Sequence, residues 1–194
     1  MNKEELWEEL KFEIGNLERL KNITEEEIIL GSGNKNGSLL FIGDDNKLYE
    51  DEDLRFEIGS SGEFFIKLCD LAEISPKDYF ITTLTKQELR FRDLFEEEQI
   101  KILELLDMQI SLLSPKVMIF FGQSVAEAVL KKEVNMGKER GKFYKWKGGI
   151  EFLITYDVEY IKKVRENTGR KSKAALEFWK DLQNIKNKLE QING

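Results

Sequence analysis

Histidine is absent from this 194-residue chain. Its absence excludes Ser-His-Asp and Cys-His nucleophile systems and any zinc site built on imidazole. Acid–base work would fall to carboxylates, lysine or tyrosine. Cysteine occurs once, at Cys69, so the chain can form no internal disulfide and hold no cysteine-ligated iron–sulfur cluster. No metal and no cofactor are expected. Long apolar runs are also missing. The longest resemble Val117–Phe121, far short of the roughly 20 residues of a membrane span. The first ten residues, Met1–Leu10, are charged and acidic, unlike a signal peptide. The expected location is the cytoplasm, with no membrane partner. No repeat or long linker interrupts the chain, so one domain over 1–194 is expected.

What is present fits a globular protein: a hydrophobic fraction of 41% and an aromatic fraction of 11% are enough to build a core. The net charge of −7 argues against a general nucleic-acid binder. That charge is unevenly spread. Residues 131–173 carry 13 basic and 6 acidic side chains, while the first 130 residues carry a net −14. The basic stretch reads as a solvated face or as a face for an anionic ligand.

Hydrophobic spacing predicts a helix over Leu6–Leu20. Gly31–Gly37 is a turn-rich loop, followed by a buried strand over Ser38–Gly43. An acidic, irregular segment runs from Asp44 to Phe56. A helix begins after Ser60, which has the chemistry of an N-cap. A second strand covers Tyr79–Thr83, and a helix covers Glu96–Leu113 before Pro115. Strands follow at Lys116–Phe121 and Glu151–Tyr156, with a helix from Gly122 to about Lys131 between them. A last helix spans Ser172 to about Gln191. Alternating helices and continuously apolar strands predict an α/β fold: a three-layer α/β/α sandwich around a central four-stranded parallel sheet. Leu40, Ile42, Val117, Ile119, Phe121, Leu153 and Trp179 should be buried. Ligands of such sheets bind beyond the carboxyl ends of the strands. Here those ends are Gly43-Asp44-Asp45, Thr82-Thr83, Gly122-Gln123-Ser124 and Tyr156-Asp157.

Taken in order, these segments resemble the uracil-DNA glycosylase superfamily, especially its iron–sulfur, family-4-like branch, from about residue 10 to 185. Leu39–Gly43 resembles the strand before the family's Gly-Glu-Ala-Pro-Gly motif. Ile58-Gly59-Ser60-Ser61-Gly62 resembles its Val-Gly-x-x-Gly turn, and Tyr79–Thr82 with Lys86 its Tyr-Ile-Thr-Asn-x-x-Lys segment. Ser114–Val117 with Gly122 is similar to the Arg-Pro-Lys-x strand and its closing glycine. Arg140-Gly141, Thr155-Tyr156, and Trp179 with Asp181-Leu182 match later landmarks. The resemblance implies a DNA-repair hydrolase that flips a nucleotide, stacks its base, reads the base edge and steadies the departing uracil anion.

The residues that such chemistry uses have changed. The stacking position is Glu57, with Phe56 adjacent. The base-reading asparagine is Thr83, which cannot make the two-point amide contact. The histidine beside the leaving group is Asp157, and a carboxylate there repels an anion unless protonated. Asp44 and Asp45 replace the first motif's acid and its neighbour. They are candidates to orient water or steady an oxocarbenium ion, and they also read as the start of an acidic surface loop. The positions of the cluster cysteines fall on Phe12, Gly15, Gln87 and Ile102. Cys69 is expected in the core, and no iron–sulfur cluster is expected.

Other groups fit contacts to DNA. Ser60 and Ser61 at one helix start, and Gln123 and Ser124 at another, offer backbone N–H groups to a phosphate, or simply cap helices. Lys162, Lys163 and Arg165, within a segment reaching Lys173, occupy the place of the family's DNA-wedging loop. Phe143, Tyr144 and Trp146 are candidate base stackers or hairpin packing. Glu88, Arg90, Arg92 and Asp93 are expected to pair among themselves. Three functions remain open: a monomeric protein that binds DNA or a nucleotide or base without excising uracil, a DNA N-glycosylase of altered base choice using Asp44 or Asp45, or a protein-interaction module.

Overall fold

A computed structural model describes residues 2–17, 28–86, 89–169 and 171–194. Six strands form one sheet: β1 (Ser32–Gly33), β2 (Leu39–Gly43), β3 (Tyr79–Thr83), β4 (Val117–Phe121), β5 (Phe143–Lys145) and β6 (Glu151–Thr155), in the order β1-β3-β2-β4-β6-β5. The four central strands are parallel, as expected. Two short antiparallel strands, β1 and β5, are added at the edges. β1 lies within the segment expected to be loop. Gly31 lets it approach β3, since a Cβ there would lie 2.3 Å from the Ile81 carbonyl oxygen.

Both faces of β2, β3 and β4 are buried because these strands are apolar at every position but a few. One face packs against α1 (Lys3–Gly15), α3 (Glu96–Leu113) and α4 (Gln123–Leu130) through Leu40, Ile42, Met118 and Phe120. The other packs against α2 (Ser61–Leu71), α6 (Val158–Thr168) and α7 (Lys173–Asn193) through Leu39, Phe41, Ile119 and Phe121. The result is the expected three-layer sandwich. A four-residue helix, α5 (Met136–Glu139), precedes the β5–β6 hairpin.

Local chemistry sets the boundaries. In α1, Asn2 accepts the Glu5 N–H at 2.9 Å and the Glu5 carboxylate accepts the Asn2 N–H at 2.9 Å, a reciprocal cap. The first helix therefore starts earlier than its apolar spacing suggests; Leu20 lies outside the described residues. α3 ends at Ser114, which is left-handed (φ 49°), just before Pro115. Ser172 accepts the Ala175 N–H at 3.2 Å and starts α7.

Two expectations are corrected. Trp179 is only half-buried, and the neighbouring Phe178 fills the core instead, at 1% exposure. The α7 face is set by Ala175, Phe178, Leu182, Ile185 and Leu189, and Trp179 lies just off it. The segment read as a wedging loop is helix α6 up to Thr168. Its apolar residues Val158 and Ile161 are buried against the sheet and α2, which the lysine-rich sequence obscured.

Candidate functional site

The parallel register brings the strand ends to one edge: Gly43 lies beside Thr83, and Phe121 beside Thr155. Gly122, at φ 94°, carries the chain past Asp157, whose Cβ would be 3.4 Å from a Cβ at that glycine. The edge therefore gathers Asp44, Asp45, Thr83, the start of α4 and Asp157.

The two aspartates after β2 have different surroundings. Asp45 is 3% exposed, so it does not open a surface loop. One of its oxygens accepts the Lys47 N–H at 2.9 Å and the other the Ser61 hydroxyl at 2.5 Å. It thereby ties the turn after β2 to the first turn of α2. Asp44 is half-buried, and both its oxygens accept the Phe91 N–H, at 3.1 and 3.0 Å. Burial pushes the Asp44 carboxyl up to about 6, and the charges of Asp157 and Asp93 act in the same direction. The Phe91 N–H and Arg90 act against that rise.

Asp157 caps α6, accepting the Tyr160 N–H at 3.0 Å. Burial raises its pKa, helped by the Asp45 and Glu159 charges and opposed by Tyr160 and Arg90. Arg90 does not pair within its own loop. Its guanidinium donates to the Asp44 carbonyl and pairs with Glu159 at 2.9 Å, bridging to α6. Arg92 and Asp93 are 3.9 Å apart, and Glu88 lies outside the described residues.

At the base-reading position, the buried Thr83 hydroxyl donates to the Thr85 carbonyl at 2.5 Å. Its single proton is then committed, so the Tyr49 hydroxyl, 3.0 Å away, is the donor to Thr83. Burial pushes the Tyr49 phenol up to about 12. Beneath this pair, the Lys86 ammonium donates to Thr82 Oγ1 at 2.5 Å and to the Thr83 carbonyl, and burial lowers its pKa to about 7. At the stacking position, Glu57 is exposed and pairs with Lys47 at 2.9 Å. Phe56 is half-buried, its ring edge 2.6 Å from where a Cβ on Gly62 would stand. The ring thus lies against the first turn of α2.

The helix starts also differ. In α2, Ser60 accepts the Glu63 N–H at 3.1 Å, and the Gly62 N–H goes to the Lys47 carbonyl at 3.0 Å. In α4, Gln123 and Ser124 are exposed, and no side chain caps the turn. First-turn N–H groups of a helix have no partner within it, so the start of α4 is less capped than that of α2. The α6 lysines are paired within their helix, Lys162 with Glu166 at 2.7 Å and Lys163 with Glu159 at 3.2 Å. Tyr144 stacks on Phe152 across the hairpin, with ring centroids 5.4 Å apart. Behind the site, Arg140 donates to both oxygens of Asp181 at 2.6 Å, and Thr155 donates to Asp181 at 2.6 Å. This buried cluster fixes the end of β6 two residues before Asp157.

Sequence reasoning missed Tyr49, Lys86 as a buried amine, and the reach of Arg90 to Glu159. Each lies in irregular backbone or pairs across a long sequence separation, where spacing carries no signal.

A doubly wound parallel sheet, with acidic groups and helix starts gathered at its carboxyl edge, places the protein among the α/β sandwiches, a class whose ligands bind beyond the strand ends. Residues 30–183 match the sequence model of the uracil DNA glycosylase superfamily, and the chain belongs to that superfamily. It is 33% identical over 162 residues to a type-4 uracil-DNA glycosylase of Saccharolobus solfataricus, covering 75% of this chain and 74% of the relative. It is 26% identical over 152 residues to a type-4 uracil-DNA glycosylase of Thermotoga maritima, covering 77% and 79%.

The residues present do not fit the iron–sulfur cluster of the type-4 branch. Phe12 is half-exposed on α1, Ile102 is buried among α3 leucines, and a Cβ at Gly15 would meet Ile28 at 2.9 Å. Gln87 lies outside the described residues. The chain's one thiol, Cys69, is buried on the opposite face of the sheet, and burial raises its pKa. No helix among the described residues is long and apolar enough to cross a membrane.

Proposed function

We propose that this superfamily member binds DNA, or a nucleotide or base, at its strand ends without excising uracil. The observation that carries this reading is the spent hydroxyl of Thr83: it donates to Thr85 and accepts from Tyr49, so it offers no donor to a base edge. Asp157 supports it, because it stands where the resemblance places a histidine, and its ionised carboxylate opposes a departing uracil anion. The open start of α4 at Gln123 and Ser124 supports a phosphate contact there. A monomeric state and a cytoplasmic location are part of the same proposal.

A second reading rests on Asp44. It is a half-buried carboxylate near pKa 6, held by a backbone N–H, and it is suited to steady an oxocarbenium ion. A base carrying an exocyclic amine could donate to Asp157, which uracil cannot do.

The test is base release and binding in the same samples. DNA carrying uracil, hypoxanthine, xanthine or oxidised bases is incubated with the protein across a salt series. Salt-sensitive binding with no abasic sites is the expected result. Abasic sites that vanish in Asp44→Asn would favour the second reading, and no binding at low salt would refute both.

A further inference from the structure

A cavity of about 480 Å³ opens between α2, α6 and α7, and none of the strand-end residues lines it. Its floor is apolar and buried, built from Leu68, Ile161 and Phe178. Its rim is apolar and exposed: Leu71 is 70% exposed, Leu176 is 55% exposed and Trp179 is half-buried. The widening of the apolar face is confined to the start of α7. One heptad further on, the positions of Leu176 and Trp179 are Gln183 and Lys186, and the face narrows again. The groove therefore carries apolar surface that α7 needs nowhere else along its length.

The one charged side chain that lines it is a cation. Arg165 lines the groove half-buried, its guanidinium 5.2 Å over the Phe64 ring. Among the described residues it has no carboxylate at ion-pair distance, unlike Lys162 and Lys163 on the same helix. Lys173 and Lys180 stand three residues before and four after Leu176, on the same side of α7, exposed and also without a carboxylate partner among the described residues. A chain of net charge −7 thus places one cation in an apolar groove and two more on the side of α7 that carries Leu176, none with a carboxylate partner among the described residues.

A small amphipathic acid could fill the floor but would leave Leu71 and Leu176 in water. A nucleic-acid backbone would meet the cations but gain nothing from the floor. A peptide segment satisfies both, as in helix-in-groove recognition. We infer that the α2–α6–α7 groove docks an acidic amphipathic segment of a partner protein, apolar anchors on Leu68 and Phe178 and carboxylates against Arg165, Lys173 and Lys180.

The test uses the intact protein and fluorescence anisotropy with a panel of labelled synthetic helical peptides, with Leu or Phe at i, i+3, i+4 and i+7 and Glu between them. Matched peptides carry Lys in place of Glu. The expected result is micromolar binding of acidic peptides only, weakened about tenfold or more by Arg165→Glu and by Leu176→Lys and unchanged by Lys142→Glu. Leu176 is exposed, so its variant keeps the fold even if Arg165→Glu does not. Equal binding of acidic and basic peptides, no binding of any acidic peptide, or binding indifferent to both groove substitutions would each overturn the inference. So would a concentration-dependent dimer in sedimentation that Leu176→Lys abolishes, since a second copy would then cover the groove.

Discussion

Removing Asp181 should destabilise the protein by about 3 kcal/mol at pH 7. Its side chain is 2% exposed and accepts three short hydrogen bonds, two from Arg140 and one from Thr155. Deleting one member of a buried ion pair costs about 3–5 kcal/mol, because the partner is left charged and undersolvated. Asp181→Ala falls at the lower end of that range. Arg140 keeps Glu177 at 3.6 Å and the Tyr156 ring at 5.2 Å, and its side chain is 16% exposed. Arg140→Ala is more severe, about 4 kcal/mol, since Asp181 would keep only Thr155.

The two variants separate by pH. Burial already raises the Asp181 pKa despite Arg140, and removing Arg140 raises it further. An acid with a folded pKa above its unfolded value gains stability as pH falls. Arg140→Ala should therefore recover part of its loss between pH 7 and pH 5, and Asp181→Ala should not. Urea unfolding at both pH values reads this, and thermal unfolding should show a fall in Tm of roughly 6–12 °C for Asp181→Ala. A loss below about 1 kcal/mol for Asp181→Ala, or no pH dependence in Arg140→Ala, would refute the reasoning.

Two further outcomes follow from the site. Asp44→Asn should stabilise the protein above pH 6, on the order of 1 kcal/mol after solvent screening. The folded Asp44 pKa of about 6 lies above its unfolded value, so the gain should close by about pH 4; urea midpoints across that range decide it. Ser61→Ala leaves one Asp45 oxygen unpaired in a buried position and should cost about 1–3 kcal/mol in the same assay.

The framework was legible in the sequence because apolar runs and caps are local signals. The central strands at 39–43, 79–83 and 117–121, and the helix over Glu96–Leu113, were read nearly to the residue. Helix α6 was missed because its charged residues outnumber the two buried ones, Val158 and Ile161. β1 and β5 were missed because two or three residues carry no period. At the strand ends, the sequence identified which residue types had changed but not what they touch. The commitment of Thr83 to Tyr49 spans 34 positions and that of Asp45 to Ser61 spans 16, so neither follows from spacing.

The short edge strands have a consequence for the behaviour of the protein in concentrated solution. A parallel sheet invites another chain to pair along any long bare margin. Here the margins are two and three residues long, and the Gly33 N–H on one of them is already taken by the Glu52 carbonyl at 3.0 Å. A stray strand would find too few free groups to anchor it. These two margins, rather than the core, should therefore set how readily the protein grows fibres, and an insertion that lengthened either one should make that growth easier.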